Sequence, residues 1–512
     1  MPMYHTNITQ YLDENAAMHS DRIAVIDGTI HLSFMELRER ALRLAAVIAD
    51  YCPEGRHVVA VYLPKGIQSV IADVAVMYSG NAYMNMDIHC PELRNRNILT
   101  QVRPSIVITS MTLTQKLVPF TEANIPVLCV EETPSFLKPE KAQMLLRRRD
   151  ACLDTDLLCI INTSGSTGTP KGVALTHRGF MDMVMSAEQV GILDDSPKVM
   201  ASLSPYVFDI YVFELCLVLM RRATLLVIPE NMAAFPVRML ELMNLHRVTW
   251  LFWVPTIMVN IANMDLLSEI TLSDLRMVWF AGEVFPTAKC NYWRRHLPQA
   301  RFVNLYGPIE ISLDCAFFEV DRDFSDNEPL PIGHAFPNKE IILLDENNRQ
   351  AAPGQEGEIC VRGIGVAPGY YNDPEKTVAA FVQDPRNTTY PDKLYRTGDI
   401  GIINDRGELM FEGRRDTLIK HNGYRIELGE IEHIVISAHL VSNCCVLYNH
   451  FEKKIVFVYE KPEPISEKEL RAQISHLLPR YMVPTIYVHV KEMPRNANGK
   501  IDRLALVQNA SE

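Results

Sequence analysis

The chain has 512 residues, 48% of them hydrophobic and 22% charged, enough for about two to four folded units and an interdomain cleft, which excludes a small binding module. Its 50 Lys+Arg against 62 Asp+Glu give a net charge of −12, which excludes a protein that binds by neutralising many nucleic-acid phosphates. Eleven cysteines show no C-x-x-C spacing and read as reduced thiols of a cytoplasmic protein. The opening MPMYHTNITQ has neither a basic n-region nor an apolar h-region. The longest uncharged run, between Arg247 and Asp265, is broken by Pro255, Asn260 and Asn263, so no membrane span is expected.

Residues 57–63 (HVVAVYL) form an unbroken apolar run that predicts a buried strand, and the helical spacing over 66–79 predicts the helix that follows it. The unit recurs. Strands are expected at 105–109, 127–130 and 157–162, at 224–228 before a helix over 237–246, at 249–254, and at 277–281 before a helix over 287–296. The fold class is therefore α/β, with layered and mostly parallel sheets. From residue 331 short β runs at 341–344, 357–361 and 407–411, separated by Gly and Pro, predict a β-rich subdomain. After the charged cluster at 413–416, a helix over 428–436, strands over 444–448 and 454–459, a helix over 466–478 and a strand over 486–490 predict a small α+β domain. The division expected is an N-terminal domain over 1–415 and a C-terminal domain over 416–512. Beyond Asp416 the chain carries 12 Lys+Arg against 11 Asp+Glu, so the negative excess lies in the larger part.

The stretch 161–172, INTSGSTGTPKG, places five Ser/Thr hydroxyls and three glycines behind a strand. Glycines admit a polyanion to the backbone, hydroxyls and N–H groups bond phosphate oxygens, and Lys171 supplies charge. It is not a Walker loop, because Lys171 follows Pro170 and precedes Gly172. A solvated Ser/Gly linker is the other reading of such a composition; the order of the residues favours phosphate. His177 and His334 have no partners at zinc-ligand spacing, and no G-x-S-x-G elbow occurs.

Four further motifs follow in order: NLYGPIE (304–310), YRTGD (395–399), GRRDTLIKHNGYRIE (413–427) and NGKIDR (498–503). With them the chain resembles, over nearly its whole length, the adenylate-forming superfamily of acyl-CoA synthetases, luciferases and nonribosomal-peptide adenylation domains. Phe208-Asp209 and Ala281-Gly282-Glu283 look like the amino-acid-activating branch, and the overall pattern is closest to stand-alone amino acid adenylation enzymes such as D-alanine–carrier protein ligases.

The resemblance implies a carboxylate attacking the α-phosphate of ATP, with Mg2+ as cofactor. Thr163, Ser164, Gly165, Ser166, Thr167 and Lys171 would hold the β,γ-phosphates, and Gly282, Glu283, Leu305 and Gly307 would line the nucleotide site. Tyr306 would stack on adenine and Asn304 bond the base edge. Asp399 would take the ribose hydroxyls with Arg414 beside it, and Glu310 would bind Mg2+. Lys500, otherwise a surface lysine, would stabilise charge in the transition state. Asp209, otherwise a turn or cap residue, would pair with a substrate ammonium, within walls made by Ile210, Phe213, Phe252, Trp279, Ala281, Leu305, Leu313 and Asp314. Most of these are large and apolar, so the substrate should be small: alanine-, glycine- or serine-sized. Asp314 would bond a substrate hydroxyl or face solvent.

One departure is Ile309, where the family carries a threonine whose hydroxyl contacts the α-phosphate; its loss predicts a deficit of about 1.5–3 kcal/mol in adenylation. The resemblance puts a hinge at Asp416 and a loop around Lys420 and Gly423 that admits a pantetheine arm. No carrier domain follows Lys500, so a free-standing phosphopantetheinylated carrier protein, or coenzyme A, is expected as acceptor. The competing readings are an acyl- or aryl-CoA synthetase and a noncatalytic nucleotide-binding regulator.

Overall fold

The computed structural model describes residues 5–117, 125–163, 170–414, 418–438, 440–441, 443–494, 501, 503 and 506, without the side chains of His433 and Ser437. Two large sheets dominate. The first runs, edge to edge, through His334–Ala335, Ala316–Glu319, Arg301–Tyr306, Met277–Phe280, Trp250–Trp253, Val199–Ser202, Thr224–Val227, Ile23–Asp27 and Ile30–Ser33. Its strands are parallel from Arg301–Tyr306 to Ile23–Asp27 and antiparallel at both edges. The second runs through Gly369–Tyr370, Lys171–Thr176, Leu157–Thr163, Ala82–Asn85, Val58–Val61, Ile106–Thr109 and Val127–Cys129. Apolar continuity marked these strands because helices cover both faces, leaving no polar side to alternate with.

The sheets share one core. Helix Ile67–Tyr78 packs with both of them, helices Phe34–Tyr51 and Asp209–Arg221 with the first, and Leu37, Val61, Leu158, Leu215, Leu225 and Phe252 belong to a single buried cluster. Helix Phe34–Tyr51 starts where Ser33 and Glu36 cap each other's backbone N–H groups. Helix Asp209–Arg221 is buried from Ile210 to Met220 and stops at Arg222, whose φ of 57° cannot continue a right-handed turn.

The hydroxyl-rich loop differs from a strand-loop-helix phosphate motif. Leu157–Thr163 turns back into an antiparallel strand, Lys171–Thr176, before Thr176 caps helix His177–Gln189. In that hairpin Lys171 lies opposite Thr163. The β-rich part is a five-stranded sheet of Lys339–Leu344, Gly357–Gly363, Lys393–Ile403, Phe381–Gln383 and Leu409–Arg414.

Beyond it, a two-stranded hairpin, Leu418–His421 with Tyr424–Glu427, leads into helix Leu428–Ser437 and a three-stranded sheet carrying helix Glu467–Ser475. This part has a core of its own, built on Ile426, Ile431, Val446, Phe457, Leu470 and Ile474. Among the described residues no helix is long and apolar enough to cross a membrane.

Candidate active site

Parallel strands end together, and the loops at their carboxyl ends open a crevice. Val254 follows Trp250–Trp253, Ala281 and Gly282 follow Met277–Phe280, and Gly307 follows Arg301–Tyr306. With Asp209, Thr163 and the hairpin around Gly423, these residues enclose a cavity of about 120 Å³. The loop before Asp209 is pinned from the other sheet: Lys65 Nζ donates to the carbonyls of Ser202 (2.7 Å) and Ser204 (2.6 Å), and Asn85 Nδ2 to that of Tyr206 (3.2 Å).

Two carboxylates meet at one end. Asp209 is the first residue of its helix, where the positive end of the helix dipole favours an anion. Burial nevertheless lifts its carboxyl to about 6, against the opposing pull of the Ile210 N–H and of Lys420. Asp314 is 2% exposed, and its Oδ2 has no partner among the described residues. Burial and then the neighbouring Asp209 push its carboxyl well above the usual range. Asp314 is therefore a cavity residue, and the solvent-facing alternative falls. Ser312 and Leu313, at φ 57° and 92°, turn the chain to bring it there. The turn passes so close to Gly307 that a Cβ at that position would lie 2.4 Å from Asp314 Cα, so only glycine fits.

At the other end Asp399, 3% exposed, accepts from the Tyr306 hydroxyl (2.5 Å) and pairs with Arg414. Lys171 Nζ lies 5.1 Å from the centre of the Tyr370 ring. Glu310 is fully buried; Tyr370 donates its hydroxyl to Oε1 (2.9 Å) and Arg425 its Nη1 to Oε2 (2.7 Å). Burial works against the Glu310 charge, yet Arg425 and Lys171 hold the carboxyl down at about 2. Burial lowers the Lys420 ammonium, which sits 5.9 Å from the Tyr306 ring centre.

The C-terminal hairpin closes over this cavity. Gly423, at φ 81°, donates its N–H to Glu283 Oε1 (2.7 Å), and a Cβ there would lie 2.9 Å from Val254 Cγ1. Arg94 pairs with Glu430, and Tyr424 stacks on Tyr481 with ring centres 3.7 Å apart.

Of the residues expected from sequence, Thr163, Asp209, Ile210, Phe252, Ala281, Gly282, Gly307, Leu313, Asp314, Asp399, Arg414, Lys420 and Gly423 line the cavity. Phe213, Trp279 and Leu305 lie behind it: Phe213 stacks on Trp279 at 5.6 Å, and Leu305 is 2% exposed. Glu283 is taken by Thr256 and Gly423, and Asn304 Nδ2 donates to the Pro331 carbonyl (2.7 Å). Ser164, Gly165, Ser166, Thr167, Asp416 and Lys500 lie outside the described residues.

Arg425 and Tyr370 were not anticipated. Arg425 stands inside a motif already singled out, whereas nothing near Tyr370 in sequence ties it to Glu310. Of two further cavity residues, Asn162 stands inside the 161–172 stretch already singled out, whereas Arg94 carried no signal of its own. Among the described residues no group of three or more His, Cys, Asp or Glu is placed to hold a metal ion.

The geometry agrees with what the chain is similar to. Residues 12–371 match the AMP-binding enzyme family and residues 430–500 the AMP-binding enzyme C-terminal domain. Zwittermicin A synthase ZmaJ of Bacillus cereus is 28% identical, over 99% of this chain and 96% of that protein. Tyrocidine synthase 1 of Brevibacillus parabrevis is 30% identical over 98% of this chain, which spans only 45% of that longer protein. Among solved structures PA1221, an NRPS protein containing adenylation and PCP domains, superposes with a TM-score of 0.82 at 25% identity, over 99% of this chain and 84% of that one. The Vibrio cholerae adenylation domain AlmE, in complex with glycyl-adenosine-5′-phosphate, shares the fold at a TM-score of 0.82 and 21% identity, over 100% of this chain and 99% of that one. A crevice at the strand ends, ordered motifs that converge on it and a family match over most of the length lead to one assignment: the chain belongs to the AMP-binding enzyme family of adenylate-forming ligases.

Proposed function

We propose that the protein activates a small amino acid with ATP and passes the acyl group to the phosphopantetheine thiol of a separate carrier protein. The observation that carries this reading is Asp209, a half-buried carboxylate that lines the cavity together with Asp399 and Arg414. A carboxylate without a counter-charge is costly in such a place, and a substrate ammonium supplies one. Phe213, Phe252 and Trp279 fill the space beneath, which favours a short side chain.

In the first step the substrate carboxylate attacks the α-phosphorus, a C–O–P linkage forms and pyrophosphate leaves. Lys171 and the loop from Thr163 to Thr167 are suited to bind the polyphosphate, Tyr306, Asn304 and Asp399 to hold the nucleoside, and Lys500 to balance charge on the transferring group. Both Glu310 oxygens are taken here by Tyr370 and Arg425; the ionised carboxylate is the hard oxygen ligand Mg2+ takes and would hold the ion once Arg425 withdraws. The ion's contribution when bound is to neutralise phosphate charge. In the second step the thiol takes the acyl group and AMP leaves. The Lys420–Gly423 turn, closed over the cavity, is suited to guide the pantetheine arm, and PA1221 joins adenylation and PCP domains in one protein.

Pyrophosphate exchange into ATP across D- and L-amino acids, β-amino acids and simple acids tests the reading. Exchange with a small amino acid supports it; exchange only with acids lacking an amine would make the protein an acyl- or aryl-CoA synthetase. Silence with every acid would make it a noncatalytic nucleotide binder.

A further inference from the structure

The cavity holds a hydrogen-bonding side chain that no motif or family match assigns. Asn162, the residue before Thr163, lines it, as do Ile161 and Ile309. Both Nδ2 and Oδ1 are shielded from solvent and have no partner among the described residues. A buried amide with neither donor nor acceptor engaged costs the fold free energy and returns none, so it is retained for something that arrives.

The surroundings narrow what arrives. In the hairpin Asn162 lies opposite Gly172, where no side chain competes for its amide. The adjacent donors are engaged elsewhere: the Thr163 hydroxyl is directed at the Lys171 carbonyl (3.5 Å), and Lys171 lies against Tyr370. Ile309, in the same lining, offers only hydrocarbon. The free amide thus adjoins Thr163 and shares the cavity lining with Asp209.

We propose that Asn162 is a catalytic residue whose Nδ2–H donates to a non-bridging oxygen of the α-phosphate. That oxygen carries charge throughout the exchange in which the acyl C–O–P linkage forms and the bond to pyrophosphate breaks, and the amide neither gains nor loses a proton. The proposal rests on the adenylation reading above for its reaction, but its ligand chemistry, a nucleoside α-phosphate, can be read without any amino acid.

The test compares AMP with adenosine by calorimetric titration. In the parent AMP should bind more tightly than adenosine; Asn162→Ala should weaken AMP about tenfold and leave adenosine unchanged. In pyrophosphate exchange Asn162→Ala should lower kcat about 10–100-fold with the KM for ATP within about threefold. Ile309→Thr, which sets a hydroxyl in the same cavity, should recover about tenfold in the Asn162→Ala background. An unchanged AMP-to-adenosine ratio in Asn162→Ala overturns the proposal, as does an equal loss of both ligands with a lowered Tm, which would make Asn162 structural. No exchange by the parent with any acid, while the ratio still falls in the variant, overturns the adenylation reading and leaves the phosphate contact standing.

Discussion

Replacing Asp209 by asparagine keeps the size of the side chain and removes the charge that the reading needs. Burial lifts this carboxyl from 3.8 to about 6, so above that pH the native state carries an anion that it holds less well than the unfolded chain does. The difference corresponds to about 3 kcal/mol at about 1.4 kcal/mol per pH unit, and solvent screening of a half-buried group brings the expected cost to about 1–3 kcal/mol. Because the folded value is the higher one, the favourable contribution is complete below about pH 4 and is lost as pH rises through about 6. Asp209→Asn should therefore unfold with the parent at about pH 4 and a few degrees above it at pH 8. Function should move the other way. In the parent the KM for the amino acid falls as pH rises through about 6 and Asp209 ionises, whereas in the variant it stays high at every pH while the KM for ATP changes little. Thermal unfolding and pyrophosphate exchange over the same pH series measure the two halves. A variant less stable than the parent at pH 8 would show that the Asp209 charge is already paired within the fold, which would refute a carboxylate held ready for a ligand.

Gly423→Ala sets a Cβ within 2.9 Å of Val254 Cγ1 at a φ of 81°, so it should slow thioester formation about tenfold while pyrophosphate exchange stays within about threefold; equal effects on both would remove the hairpin from the second step. Lys500→Ala should cut exchange by more than about a hundredfold with ATP affinity by calorimetry nearly intact, and lost ATP binding with normal turnover would contradict its role in the transition state. Asp416→Pro, which fixes φ at the expected hinge, should slow thioester formation more than exchange when the two are measured separately. Trp279→Ala opens the floor beneath the cavity; it should lower stability by about 3–5 kcal/mol in thermal unfolding and let longer apolar amino acids compete in exchange, and an unchanged preference would show that the stack does not bound the pocket.

Much of this was legible in one dimension. The run at 57–63 contains the strand Val58–Val61, the helix over 287–296 is observed as Thr287–His296, and the last strand is Ile486–Val490. Helix and strand periods, and unbroken apolar runs between covering helices, are local properties that a sequence displays. So are Asp209, Asp399 and Gly423, because each stands in a motif whose order is itself informative.

Tertiary structure decided depth and pairing. Trp279 and Leu305 share a strand face with Ala281 and Gly307 but lie two residues earlier, about 6–7 Å deeper along the strand, and Phe213 lies a turn below Asp209 on its helix. Matching residues to a pattern names the wall; only packing says which of them touch the space. Glu310 meets Arg425 across 115 residues and Tyr370 across 60, and Asn162 is left with an amide that nothing described satisfies. Those facts depend on which atoms the folded chain brings within hydrogen-bond reach, and that reach, about 3 Å, carries no trace along the sequence.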